Sequence, residues 1–97
     1  MSKMKLKNLD MLQTISPMGV QAIVDFGEYE LSIIQNQMSY GGKQGLFEIA
    51  VFKGKAQAEL PGVTSPGDTV KGFLTPSDVD AILTKMYTIT GKEGVQI

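Results

Sequence analysis

The chain has 97 residues, 42% of them hydrophobic and 20% charged, which gives room for one folded domain and is too apolar for a disordered chain. Nine cations against ten acids leave a formal charge of −1, and every cation is a lysine; with no guanidinium fork and no basic surplus, specific nucleic-acid recognition is disfavoured. Cysteine and histidine are both absent, which removes disulfides, thiolate nucleophiles, the usual general base near neutral pH and the commonest transition-metal ligands.

Lys3, Lys5 and Lys7 make the start of the chain basic, but the apolar run of about 7–15 residues that a signal peptide needs does not follow. No stretch approaches the roughly 20 apolar residues of a membrane span, so a soluble, intracellular protein is expected. Met4, Leu6, Leu9 and Leu12 fit either a short helix or a strand-like lead-in, which Ser16-Pro17 would end. Residues 1–18 are thus expected to form an N-terminal arm, residues 19–90 the single domain and residues 91–97 a loose tail.

Between residues 20 and 26 Val20, Ala22, Val24 and Phe26 alternate with Gln21, Ile23 and Asp25, the period of a half-buried strand. Gly27-Glu28 suits a two-residue type II′ turn into a second strand over 29–36, so the pair reads as a β-hairpin. A polar connection with Gly41, Gly42 and Gly45 leads to a third strand over 46–52. That strand is apolar on both faces, which suggests a central position in the sheet. A short strand over 55–60, a Pro/Gly loop and an edge segment over 69–74, weakened by Gly72, complete the β part.

Thr75 then caps a helix with Pro76 first and Asp78 three residues after the cap. Val79, Ile82, Leu83 and Met86 form one stripe at i, i+3, i+4 and i+7, predicting a helix over 76–87 with Gly91 as its stop. The fold class expected is α+β, an antiparallel sheet of three to five strands with a C-terminal helix packed on one face.

Candidate sites are few. Gly41-Gly42-Lys43-Gln44-Gly45 resembles a phosphate-binding loop in composition, but Gln37 stands where a Walker-type loop needs glycine, and Gln44 where it needs Ser or Thr. The segment also leads into a strand and not a helix. A hairpin-type connection is the plainer reading. Tyr40 beside it reads equally as an exposed anchor for a partner or as a lid on the sheet end. Asp25, Glu28 and Glu30 gather at the first hairpin and Asp78 and Asp80 at the helix start, places where turns and helix dipoles already account for acids. No calcium-loop pattern occurs. The residues imply no catalytic group, no metal and no cofactor, and the candidate binding residues are Ser39, Tyr40, Gly41, Gly42 and Lys43.

Ser39-Tyr40-Gly41-Gly42, then Gly45-Leu46-Phe47-Glu48-Ile49-Ala50-Val51, then Gly72-Phe73-Leu74-Thr75-Pro76-Ser77-Asp78-Val79 together resemble a group of small uncharacterised proteins of tailed bacteriophages. In that group an S-Y-G-G loop precedes a G-L-[WYF]-E-[LI]-A-V strand, and G-[YF]-L-T-x-x-D-V opens a terminal helix. The match spans roughly residues 20–86 and departs over 55–66. The resemblance implies a phage accessory protein in the cytoplasm of an infected bacterium, with no activity or site residues to carry over. Three functions are then open: a module that binds a host or phage protein, a nucleotide- or small-molecule-binding protein using the Gly41–Gly45 segment, or a homo-oligomer built by pairing strand edges.

Overall fold

The computed structural model describes residues 4–15 and 18–97; Lys3 and the Ser16-Pro17 stop lie outside them. Seven strand segments among the described residues form one antiparallel sheet: β1 (Leu12–Thr14), β2 (Gly19–Asp25), β3 (Tyr29–Asn36), β4 (Phe47–Lys53), β5 (Ala56–Gln57), β6 (Val70–Leu74) and β7 (Val95–Gln96). Strands β2, β3 and β4 make the centre. The outer edge of β2 is shared by β1 and β7, and that of β4 by β5 and β6. A helix, α1 (Pro76–Thr90), packs on one face. The fold is α+β, as expected.

The β2–β3 hairpin turns through Gly27-Glu28: the Phe26 N–H donates to the Tyr29 carbonyl (2.8 Å) and Gly27 has a φ of 89°. Positive φ at the first loop residue alone is the mark of a type II′ turn, whose twist matches that of the strands. Register follows from it. Ala22 pairs with Ile33, Val24 with Leu31, and across the next ladder Leu31 with Val51 and Ile33 with Ile49. All six side chains are buried on the face that meets α1. A slip of one residue would turn the whole set outward.

Val79, Ile82, Leu83 and Met86 supply the other half of the core. At about 1.5–3 kcal/mol for each fully buried side chain, their burial outweighs the helix's own marginal stability. The start of α1 is closed by a capping box: the Asp78 N–H donates to Thr75 Oγ1 (3.1 Å) and the Thr75 N–H donates to Asp78 Oδ2 (2.9 Å). These hydrogen bonds, backbone first, hold the Asp78 carboxyl below the usual carboxylate range. Gly91 ends the helix in the left-handed conformation, its N–H on the Tyr87 carbonyl (2.7 Å).

Three expectations need correcting. The helix extends to Thr90, past the last residue of its apolar stripe, because Thr88 and Thr90 turn their hydroxyls back onto the Thr84 and Met86 carbonyls. The tail at 91–97 is not loose: Val95 and Gln96 pair with β2, the Ile97 N–H donates to the Ile23 carbonyl (3.0 Å), and Gly94 is buried against Val24 and Phe26. A two-residue strand carries no alternation; its pairing is set by the open edge of β2. The arm is likewise built in, with a 3-10 turn at Leu6–Asn8 followed by β1, Leu9 in the core, and the Leu6 N–H on Asp80 Oδ1 (2.8 Å).

Thr75→Ala is expected to cost about 1 kcal/mol in urea denaturation, the usual loss for an N-cap. Because the folded pKa of Asp78 is depressed, its contribution is present above the unfolded carboxylate pKa and is lost as pH falls from about 5 through the folded value. Asp78→Asn should lower Tm at pH 7 and flatten that part of the acid dependence.

Candidate functional site

The loop between β3 and β4 is held from within. Ser39 Oγ accepts the Asn36 N–H (2.9 Å) and donates to the Asn36 carbonyl (3.0 Å), while Asn36 Oδ1 accepts the N–H groups of Met38 and Ser39, both at 2.7 Å. Gly42 donates to the Ser39 carbonyl, Gln44 and Leu46 to that of Gly41, and Gly45 to that of Gly42. The Tyr40 N–H donates to Glu48 Oε1 (2.7 Å). A Cβ on Gly42 would overlap the Asn36 carbonyl oxygen and Ser39 Oγ, so this position admits glycine alone.

The loop is also clamped to β6. The Phe73 N–H donates to the Tyr40 carbonyl (3.1 Å), and a Cβ on Gly72 would overlap Tyr40 Cβ. Two segments thirty residues apart in the chain, Ser39 to Gly42 and Gly72-Phe73, are therefore one unit in space. Opposite them the β4–β6 ladder shifts register between Phe47 and Ile49. This bulge releases Phe73 from the alternation and turns it away from the core.

Phe73 is the one non-glycine among the described residues with positive φ, at 57°. A left-handed backbone costs an L-residue about 1–2 kcal/mol, and Phe73 recovers little of that by burial, since 57% of its surface is exposed. Tyr40 is 58% and Met38 80% exposed. The Tyr40 backbone is docked while its side chain is largely exposed, which does not suit a lid on the sheet end.

Two hollows flank Phe73. The smaller, about 220 Å³, lies against Ser39, Tyr40, Gly41 and Lys43; the larger, about 480 Å³, runs between β6 and α1 past Lys71, Leu74, Asp78 and Lys85. Ser39, Tyr40, Gly41 and Lys43 thus meet at one hollow, with Gly42 forming the turn behind them. Sequence reasoning missed Phe73, Lys71 and Lys85. Gly72-Phe73-Leu74-Thr75 read as structural throughout, which holds for the buried Leu74, the close-packed Gly72 and the capping Thr75 but not for the outward Phe73. A glycine before an aromatic in an edge strand was the available signal of a bulge.

The side chains around the hollows are the rings of Tyr40 and Phe73, the ammonium groups of Lys43, Lys71 and Lys85, the Asp78 carboxylate and the Ser39 hydroxyl. Among the described residues no cluster of three or more carboxylates suited to a metal ion occurs, and no helix is long and apolar enough to cross a membrane. Comparison with family models, with curated proteins and with solved structures finds no match to this chain.

Gly42→Ala should lose several kcal/mol or fail to fold, because the clash is with backbone. Phe73→Gly should be close to neutral, within about 1 kcal/mol, as relief of strain offsets lost contacts and a more flexible unfolded chain. Phe26→Ala, in the core, should cost about 3–5 kcal/mol. Urea titration of the three variants checks the order.

Proposed function

We propose that this protein works by binding another protein and not by catalysis, and that Phe73 and Tyr40 are its anchors. The observation that carries the reading is the strained backbone of Phe73, which holds an aromatic ring outward between two hollows. The Phe73 N–H clamps the loop through the Tyr40 carbonyl, but the exposed ring returns little to the fold for the strain in its backbone, so the use of the ring lies in contact with something else. Tyrosine and phenylalanine with few torsions, seated beside pockets, are the common centre of a protein interface. Lys43, Lys71 and Lys85 around them favour a partner surface that is acidic at its rim.

The setting proposed is a tailed-phage accessory protein in the cytoplasm of an infected bacterium, acting on a host or phage protein to redirect an enzyme or blunt a defence. The support is the resemblance, together with the way its S-Y-G-G and G-[YF]-L-T segments meet through the Tyr40–Phe73 hydrogen bond. The nucleotide reading draws no support from the loop. The N–H groups of Ser39, Tyr40, Gly42, Gln44, Gly45 and Leu46 are all donated within the protein, so a phosphate would have to open the turn to reach them.

Affinity capture from infected-cell lysate should recover a stoichiometric partner with the wild-type chain and lose it with Phe73→Gly and with Tyr40→Ala. Capture of nothing, or a partner retained by both variants, would overturn the reading. Phe73→Gly is the sharper variant because it is expected to leave stability unchanged.

A further inference from the structure

Among the described residues no second α-helix is present to cover the face of the sheet away from α1, and the register of that face can be read in three rows. Leu12, Gln21, Ile34 and Glu48 make one; Ile97, Ile23, Ser32, Ala50 and Val70 the next; Val95, Asp25, Glu30 and Phe52 the third. The middle row crosses β2, β3, β4 and β6, with Ile97 just past β7, and carries no charged side chain. Leu12, Val95 and Ile97 are exposed, and Ile23, Ile34, Ala50 and Phe52 are half-buried without belonging to the core. Ser32 is buried there, its hydroxyl accepting the Gln21 amide at 3.0 Å.

The charges that the strands place on this face have one sign, with the Lys92 ammonium at its margin beside Gly27. Asp25 and Glu30 are direct cross-strand partners, an arrangement that costs stability when the charges are alike, and Glu48 stands two rows away. Asp25 and Glu48 also accept N–H groups from Gly27 and Tyr40, but none of the three acids is ion-paired among the described residues. Lys53 and Lys71, the lysines of the described strands, lie opposite Tyr29 and Ile49 and so belong to the helix side.

We propose that this face docks a cationic amphipathic segment of another protein, apolar side chains along the Ile97–Ile23–Ala50 row and lysines or arginines against Asp25, Glu30 and Glu48. An apolar surface of this continuity marks an interaction site, and the unbalanced carboxylates select the sign of the partner. A second copy is the poorer occupant. A two-fold interface sets each patch against itself, which would bring all the carboxylates of both copies onto one apolar contact without a cation. This surface touches the Tyr40 loop at Glu48, whose carboxylate accepts the Tyr40 N–H, but the inference does not rest on the role of Tyr40 or Phe73.

The probes are a Leu/Lys amphipathic helical peptide of about four turns and its Leu/Glu counterpart. Amide NMR titration at low salt should show the Leu/Lys peptide shifting the signals of Ile23, Ile34, Ala50 and Phe52, and the Leu/Glu peptide leaving them in place. Phe73→Gly should bind as the wild type does. Glu30→Lys should raise Tm, by turning a like-charge pair into an opposite one, and weaken the Leu/Lys peptide tenfold or more. Equal binding of both peptides, binding of neither, or signals that move elsewhere would overturn the proposal. So would a dimer in sedimentation that Ile34→Lys converts to monomer, which would make a second copy the occupant.

Discussion

A fifteen-residue helix can cover one face of a sheet this wide, and that constraint organises the molecule. The buried apolar side chains of β2, β3 and β4 turn toward α1, where Val79, Ile82, Leu83 and Met86 meet them. The described residues hold no second α-helix for the other side, and that side keeps half-buried Ile23, Ile34, Ala50 and Phe52 mixed with carboxylates. Stability is concentrated in one layer of contact. The polar groups at its margins, the Thr75–Asp78 box and the Asn36–Ser39 lock, close the chain ends that the layer leaves exposed.

The same constraint separates the two candidate surfaces. The Tyr40–Phe73 ridge stands at the end of the sheet, where the loop after β3 is clamped to the bulge in β6, and its neighbouring lysines make it basic. The open face is apolar and acidic. On the roles proposed for them, the ridge and the open face would take partners of opposite charge.

Much of the fold was legible in the sequence because local signals and long-range packing agreed. The hairpin turn at Gly27-Glu28, the alternation of Ala22, Val24, Leu31 and Ile33, and the cap, stripe and stop of α1 each state their own structure. The tail was not legible, since Val95 and Gln96 are in strand only because β2 offers them an edge. The site was half legible. Glycines at 41 and 42 and Tyr40 drew notice by type, but Phe73 sits in a run that reads as strand and cap. Its exposure comes from a register shift against Phe47 and Ile49, which no local pattern encodes.

The edge of β2 is closed from both directions of the chain, β1 along one part and β7 along the other, with the Gln96 side chain bound to the Asp10 backbone at 2.8 and 2.6 Å. The hairpins and the helix form from residues near one another in the chain, but half of that edge stays bare until residues 95–97 return to it from the far side of the helix. Such late, non-local pairing slows the final step of folding. A chain whose residues 94–97 have come away from β2 would therefore present an unpaired strand beside Val24 and Phe26, a template for aggregation or for capture by a chaperone.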